Sequence, residues 1–246
     1  MSGRGKEIKM GKLYGVGVGP GDPDLLTIKA VNVLRKVAAI FHVVGPNSKK
    51  SVSGGIVKSI AGCRAESVAL LFSMARNVTD REKNWDDNAQ VILARMRAGE
   101  DCALVTIGDP SIFSTFTYLM RVIRKYEPTA VIEIIPGITS FQAAAASAQI
   151  PLVENDQTLE IIPSVSGKEI SQLKNASGGN VVVLKVNGDR DMLVSWLREN
   201  EPDSELVYAS HVGLEKELIT TRPEELAGKA NEYLSLLIVK RGRKGK

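Results

Sequence analysis

The chain has 246 residues, of which 43% are hydrophobic and 24% charged, and this balance predicts a globular protein of one large or two ordinary domains. No apolar run approaches the length of a membrane span, and the polar, basic first ten residues do not make a secretory signal. We therefore expect a cytoplasmic protein with no membrane partner. Aromatic residues make up 5% of the chain and the net charge is +4, which argues against a nucleic-acid-binding surface.

A glycine-dense turn lies between the first apolar strand and the first helix. Pro20 stiffens this turn, Asp22 is predicted to cap the helix, and Pro23 suits its first position. Two interpretations stay open at this point, namely tight packing of strand against helix and a backbone that approaches a small ligand closely. The glycines concerned are Gly15, Gly17, Gly19 and Gly21.

Short apolar runs alternate with helical patterns in the first half, which is typical of βαβ units with a parallel sheet. An apolar stripe at helical spacing follows the first loop, through Leu26, Ala30, Val33 and Val37. The strands predicted after it are Ala38–Val44, Ser67–Leu71, Cys102–Ile107 and Ala130–Ile135. The helices predicted between them are Asp80–Arg97 and Phe113–Tyr126.

The second half opens with an alanine-rich helix over Thr139–Gln149, after which strands dominate. Two further helices are predicted, Lys168–Lys174 and Asp189–Asn200, so this half is a mixed α/β domain whose strand pairing the pattern does not fix. The predicted strands are Leu159–Ile162, Asn180–Val186, Leu206–Ser210, Leu214–Thr220 and Tyr233–Lys240.

This change of character predicts two α/β domains, the first with a mostly parallel sheet over residues 12–136 and the second with a mixed sheet over residues 137–240. Basic residues gather outside them, so we expect flexible basic tails over 1–11 and 241–246. No low-complexity linker separates the halves, which favours a ligand cleft between them.

Three motifs fall at the predicted ends of strands, where open α/β sheets bind their ligands. The first is Gly17-Val-Gly-Pro-Gly-Asp-Pro23, the second Thr106-Ile-Gly-Asp-Pro110 and the third Pro136-Gly-Ile-Thr-Ser140. Together they resemble the tetrapyrrole methylase family over roughly residues 12 to 240. That family implies two α/β domains and methyl transfer from S-adenosylmethionine.

Within that family, two segments resemble the branch that methylates C20 of precorrin-2 or of its cobalt-bearing counterpart, cobalt-factor II. They are Leu71-Phe-Ser-Met-Ala-Arg76 and Trp85-Asp-Asp-Asn-Ala89, and the context Thr106–Thr115 agrees with them. The resemblance implies a cobalamin-pathway C-methyltransferase that acts as a homodimer. The alternative is another enzyme of this fold, acting on a different corrin intermediate, on ribosomal RNA or on a translation factor.

The resemblance also implies which residues contact the cofactor. Thr139 and Ser140 would offer hydroxyl and backbone groups, and Val186 and Val212 would contact the adenosine from the second domain. Relatives often carry an acidic residue followed by arginine where this chain has Ser210-His211. The residues expected from the first domain are Pro20, Ile107, Gly108, Asp109 and Ile112.

Methyl transfer places few chemical demands on the protein, because the sulfonium cofactor brings the reactive group and no protein-bound metal is required. Asp109 is the candidate catalytic base for the proton that leaves the methylated carbon, with a role in binding as the stronger interpretation. The substrate carries eight carboxylates, so we expect Arg76 and Arg81 to bind it, together with His211. Two histidines without partners at ligand spacing do not make a metal site.

Two other classes of protein compete with this interpretation. A phosphate or dinucleotide site is disfavoured because Asp22 would place a carboxylate at the amino end of the helix, where a phosphate needs free amides. A binding protein that keeps the fold without catalysis stays open. Failure to bind S-adenosylmethionine would be its signature.

Overall fold

The computed structural model describes residues 9–45, 50–60, 62–72, 78–163, 173, 178–186, 188 and 190–242. The chain folds into two compact units, the first ending at Thr139 and the second beginning at Ser140. The boundary we expected lies between residues 136 and 137. Among the described residues, no helix is both long enough and apolar enough to cross a membrane.

The first unit is built on a sheet with the strand order β3-β2-β4-β1-β5, and every neighbouring pair in it is parallel. The predicted parallel sheet is therefore confirmed. Its strands are β1 (Leu13–Gly17), β2 (Ala39–Val44), β3 (Glu66–Leu71), β4 (Cys102–Thr106) and β5 (Ile132–Ile135).

Helices cover both faces of this sheet. One core contains Leu104 of β4 with Ile92 and Phe116, and the other contains Val105 of β4 with Leu34 and Ile56. This alternation follows from the two-residue period of a strand, and both faces are apolar because both are buried. The helices of this unit are α1 (Ile28–Leu34), α2 (Val52–Lys58), α3 (Val78–Arg97) and α4 (Thr115–Tyr126).

The segment after the first loop departs from the single helix that the sequence predicted. Asp22 does act as a cap, accepting a hydrogen bond from the Asp24 amide at 2.9 Å, but it caps only the short 3-10 helix Pro23–Leu25. The chain is extended at Leu26, and Thr27 starts α1 afresh by accepting from the Ala30 amide. The stripe beginning at Leu26 therefore belongs to two elements, because a second cap interrupts it.

The second unit carries a mixed sheet with the strand order β6-β7-β10-β8-β9, in which only β6 and β7 pair in parallel. The predicted mixed sheet is confirmed. Its strands are β6 (Leu159–Ile162), β7 (Asn180–Leu184), β8 (Glu205–Ser210), β9 (Leu218–Thr220) and β10 (Ser235–Lys240). Its helices are α5 (Ser140–Ser147) and α6 (Arg190–Asn200), and the 3-10 helix Pro223–Leu226 follows β9.

The structure differs from one predicted strand of this unit and describes little of one predicted helix. The predicted strand Leu214–Thr220 is wrong in its first half, since residues before Leu218 form turns in which the Gly213 amide donates to Glu217 Oε2 at 2.6 Å. The predicted helix Lys168–Lys174 lies outside the described residues except for Leu173, which is buried.

Two residues within the ranges expected to form basic tails, Gly11 and Arg241, make contacts within the fold. Gly11 is buried and its amide donates to Met96 O at 2.8 Å. Arg241 is only 12% exposed and pairs with both carboxylate oxygens of Glu201, each at 2.7 Å, while it also donates to Gly179 O and Leu173 O. Contacts distant in sequence therefore hold both Gly11 and Arg241 in the fold.

We expect Arg241 to contribute more to the free energy of unfolding than the exposed Arg222 does. Arg241→Met should lower the free energy of unfolding by about 2 kcal/mol, because a half-buried carboxylate and two backbone carbonyls lose their donor. Arg222→Met should change it by less than about 0.5 kcal/mol, since Arg222 is 71% exposed and its ion pair is with the likewise exposed Glu225, three residues away. Chemical denaturation of both variants measures this, and equal losses would contradict the expectation.

Candidate functional site

Three strands of the first sheet end where backbone approaches backbone without side chains. A Cβ placed on Gly17 would lie 2.5 Å from Gly108 O and 2.7 Å from the Gly137 nitrogen. Real Cβ atoms do not come so close, so Gly17 and Gly137 are required for the segments after β1, β4 and β5 to meet. Of the two open interpretations of the first loop, tight packing applies at Gly17. We name the meeting point of Gly17, Gly108 and Gly137 the glycine junction.

The first motif and the second are joined by backbone hydrogen bonds. The Val18 amide donates to Thr106 O at 3.0 Å, and the Gly108 amide donates to Gly19 O at 2.7 Å. Gly19 and Gly108 have φ of 77° and 69°, a left-handed conformation that residues with a Cβ rarely adopt. Pro20, predicted to touch the cofactor, is buried directly after this bridge.

Asp109 ties the second motif to the third. Its Oδ1 accepts hydrogen bonds from the Ser111 amide at 2.7 Å and from the Ser111 hydroxyl, and its Oδ2 accepts from the Gly137 amide at 3.0 Å. Both carboxylate oxygens therefore already hold protein donors. This is the arrangement of a group that fixes loops in place, and it differs from that of a base with a free oxygen.

The residues present at the glycine junction fit a ligand with polar groups. A Cβ on Gly108 would meet only the Cα of Thr139, at 3.9 Å, so the backbone here has open space beside it. Thr106 is 8% exposed, and its Oγ1 is a buried hydroxyl with no hydrogen-bond partner among the residues that the structure describes. Buried polar atoms in folded proteins nearly always have a partner, so a ligand group at this edge would satisfy the hydroxyl.

The residues predicted to contact the cofactor from the second unit lie in turns of that unit. Val186 and Val212 are buried, and each follows a residue with left-handed backbone, Lys185 with φ of 57° and His211 with φ of 50°. The amides of Lys185 and His211 donate to Ser235 O at 2.7 Å and to Leu234 O at 2.8 Å. The ends of β7 and β8 are thus both attached to the start of β10, which lies between them in the sheet.

The structure gives fewer contacts for the predicted substrate-binding residues Arg76, Arg81 and His211 than for the predicted cofactor contacts. Arg76 lies outside the described residues. Arg81 is half-buried near the start of α3, and its Nε has no hydrogen-bond partner within the described part of the chain. His211 Nε2 lies 3.8 Å from Glu232 Oε2, so an acidic neighbour already faces this imidazole.

The two branch-specific segments are in direct contact. Asn88 is buried and donates through Nδ2 to Leu71 O at 2.9 Å, and Asn84 donates to the same oxygen at 3.0 Å. Trp85 packs beside the first core and stacks on Tyr118, with ring centroids 4.7 Å apart. The start of one segment is therefore held by the other, and Trp85 has a packing role.

Sequence reasoning missed the glycine junction as a unit, and it missed Thr106. His42 of β2 shares a hydrogen bond between its Nε2 and Ser67 Oγ, 3.1 Å apart, and burial together with nearby Lys58 lowers the pKa of His42. Among the described residues, no group of three or more histidine, cysteine, aspartate or glutamate side chains could hold a metal ion.

The family described as Tetrapyrrole (Corrin/Porphyrin) Methylases matches residues 12–227, which is most of the chain. This chain belongs to the tetrapyrrole methylase family. Among its relatives, a probable cobalt-precorrin-2 C(20)-methyltransferase of Methanocaldococcus jannaschii is 35% identical over 231 residues, covering 94% of this chain and 96% of the relative.

Two further likenesses agree with membership of the tetrapyrrole methylase family. A precorrin-2 C(20)-methyltransferase of Sinorhizobium sp is 28% identical over 246 residues, covering 94% of this chain and 96% of the relative. A uroporphyrin-III C-methyl transferase from Thermus thermophilus, solved in complex with S-adenyl homocysteine, superposes with a TM-score of 0.67 at 22% identity, covering 94% and 97% of the two chains. The last likeness shows the shared fold.

The buried Thr106 hydroxyl gives a prediction that isolates one atom. Thr106→Val keeps the shape of the side chain and removes Oγ1. We expect the free energy of unfolding to stay the same or to rise. The affinity for S-adenosylmethionine should fall about tenfold, which corresponds to the loss of one hydrogen bond of roughly 1.4 kcal/mol. Thr106→Ser should restore most of the affinity. Calorimetric titration measures both, and unchanged affinity in Thr106→Val would show that the hydroxyl does not face the cofactor.

Proposed function

We propose that this protein is an S-adenosylmethionine-dependent methyltransferase that methylates C20 of precorrin-2 or cobalt-factor II in cobalamin biosynthesis. The observation that carries the proposal is the 35% identity to a probable cobalt-precorrin-2 C(20)-methyltransferase along nearly the whole of both chains. The contact of Asn88 with Leu71 supports it, because it links the two segments that resemble the C20 branch.

The cofactor supplies a methyl group on a positively charged sulfur, so the protein's task is to bind it, aim it and exclude water. We propose that the first unit does this with Pro20, Thr139 and the backbone of Ile107–Asp109, with Ile112 packed beside them. We propose Ser140, Val186 and Val212 as further contacts to the cofactor. Pre-formed turns favour binding, because little chain entropy is lost when the ligand arrives.

The proton on C20 must leave after the methyl group is added. Asp109 was our candidate acceptor, but both of its oxygens hold protein donors. We therefore propose that Asp109 is a positioning residue that fixes the second and third motifs relative to each other. Arg76, Arg81 and His211 stay our proposed contacts for the substrate carboxylates. Among them, Arg81 has the support of a buried Nε without a described partner.

The decisive experiment is methylation of precorrin-2 and cobalt-factor II, offered in parallel under anaerobic conditions and followed by mass spectrometry. We expect a gain of one methyl group on at least one macrocycle, and the preferred macrocycle identifies the physiological form. Cofactor binding without a methylated product on either would overturn the C20 assignment. Other corrin intermediates, ribosomal RNA and translation factors would then be tested.

Two further proposals concern the protein's state in the cell. We propose a homodimer on the strength of the family resemblance, and a cytoplasmic location on the globular composition of the chain and its polar, basic first residues. Light scattering during size-exclusion chromatography measures the first, with a monomeric mass as the contradicting result. Fractionation of cells that express the native chain measures the second.

A further inference from the structure

Phe113 combines two unfavourable features in the loop between β4 and α4. Its φ is 45°, in the left-handed region where a bulky side chain is strained, and its side chain is 52% exposed. Four other non-glycine residues of the described chain have positive φ, namely Gln149, Asn155, Lys185 and His211. Among the residues that the structure describes, Phe113 is the large apolar side chain that is both strained and exposed.

The structure explains how this strain is maintained. On one side of Phe113, Asp109 holds Ser111 and the Gly137 amide. On the other side, Ser114 caps α4 by accepting from the Phe116 amide at 3.2 Å, and Phe116 is fully buried. The loop is therefore fixed at both ends, and these contacts hold Phe113 in the left-handed conformation.

Neither feature is explained by packing within the fold. The other exposed left-handed residues, Gln149, Asn155 and Lys185, carry polar side chains, whereas Phe113 leaves about half of an apolar ring accessible. Strained residues that persist in this way cluster at ligand-binding sites, where they hold a side chain ready for its partner. Phe113 also directly follows Ile112, which we expect beside the cofactor.

We propose that Phe113 is a substrate-contacting residue whose ring packs against the apolar face of the tetrapyrrole. This inference rests on the proposed function and adds a specificity-determining residue to it. A planar conjugated macrocycle offers an aromatic side chain a broad surface for offset stacking, and the carboxylates at its periphery leave that face apolar. An exposed ring in a fixed loop can make this contact with little loss of side-chain entropy.

The test separates binding from stability by using variants that relieve strain. In Phe113→Gly, the left-handed backbone is no longer strained, so we expect the thermal midpoint to stay within about 2 °C or to rise. The dissociation constant for cobalt-factor II, measured by absorbance titration, should rise at least tenfold, while that for S-adenosylmethionine should change less than twofold. Phe113→Tyr keeps the ring and should bind cobalt-factor II as the unaltered protein does.

Gln149→Gly is the matched control. Gln149 is exposed and left-handed like Phe113, with φ of 56°, but it follows α5 and has no part in the proposed site. It should keep the affinity for the macrocycle. The inference is overturned if Phe113→Gly binds cobalt-factor II normally, if Gln149→Gly loses the same affinity, or if Phe113→Gly lowers the thermal midpoint sharply.

These outcomes are distinct from failure of the proposed function. Macrocycle binding without methyl transfer would overturn the C20 assignment, and a loss of that binding in Phe113→Gly would still support the contact. If the unaltered protein binds neither cobalt-factor II nor precorrin-2, both the contact and the proposed function are wrong. Normal methylation by Phe113→Gly with an unchanged KM would overturn the contact alone.

Discussion

Gly137→Ala is expected to abolish detectable binding of S-adenosylmethionine and to destabilise the first unit. The new Cβ would overlap Gly108 O and would lie 2.8 Å from the carbonyl carbon of Gly17. Gly17 is paired in the sheet and the backbone of Gly108 is bonded to Gly19. Since backbone cannot move aside as a flexible side chain can, we expect a loss of about 3 kcal/mol or more in the free energy of unfolding.

A second glycine provides the control for this variant. Gly55 lies within α2, and a Cβ there would meet no atom within 4 Å. Gly55→Ala should therefore keep the cofactor affinity and raise the stability by up to about 1 kcal/mol, because alanine is a better helix former. Thermal unfolding and calorimetric titration of the two variants test the pair. A Gly137→Ala protein that binds the cofactor normally would refute the close approach at the glycine junction.

Asp109→Asn is expected to weaken cofactor binding about 10- to 100-fold, because an amide cannot accept on both sides as the carboxylate does. Whichever way the asparagine turns, its NH2 group faces either the Ser111 amide or the Gly137 amide, donor against donor. Hydrogen bonds to charged groups are worth about 1.5–3 kcal/mol each, so the loss of one accounts for this range. The thermal midpoint should fall as well.

The same variant distinguishes positioning from base catalysis. Loss of a general base would lower kcat by about 10²–10⁴ with little change in cofactor affinity, and the pH dependence of kcat would lose one limb. Loss of a positioning residue raises the dissociation constant and lowers the stability instead. Ser111→Ala is the milder comparison, since the Ser111 amide still donates to Asp109 when the hydroxyl is gone. An Asp109→Asn protein with normal affinity and a collapsed kcat would restore Asp109 as the base.

Strand positions in this protein could be predicted from sequence because their signals are local. The strand predicted over Cys102–Ile107 corresponds to β4, Cys102–Thr106. Its end could be predicted because the apolar run stops just before Gly108, where the chain turns. Helix α2 was not predicted because Gly54 and Gly55 favour a turn, yet Ser51 starts this short helix by accepting from the Gly54 amide at 3.1 Å. The cap offsets part of the cost of two poor helix formers, and the burial of Ile56 and Val57 in the core adds to it.

The arrangement of the candidate site could be predicted only in part. The three motifs are visible as sequence, but the hydrogen bond from Gly137 to Asp109 joins residues far apart in the chain, and no local pattern reveals it. The same holds for Arg241, whose ion pair with Glu201 decides that it belongs to the fold. The strain at Phe113 depends on both ends of its loop, so it too is a property of the folded chain.

The first sheet places β1 as an interior strand between β4 and β5, and this position has a consequence for how the protein folds during synthesis. Leu13 pairs with Cys102 on one side and with Ile132 on the other, so the first strand made has no sheet partner until residues beyond 100 have left the ribosome. Such long-range parallel pairing forms slowly, because the entropy cost of closing a large loop must be met before the stabilising contacts form. Nascent chains that stop before Gly137 should therefore be unable to retain the cofactor, and the glycine-rich amino-terminal loop is completed only when translation has passed the middle of the chain.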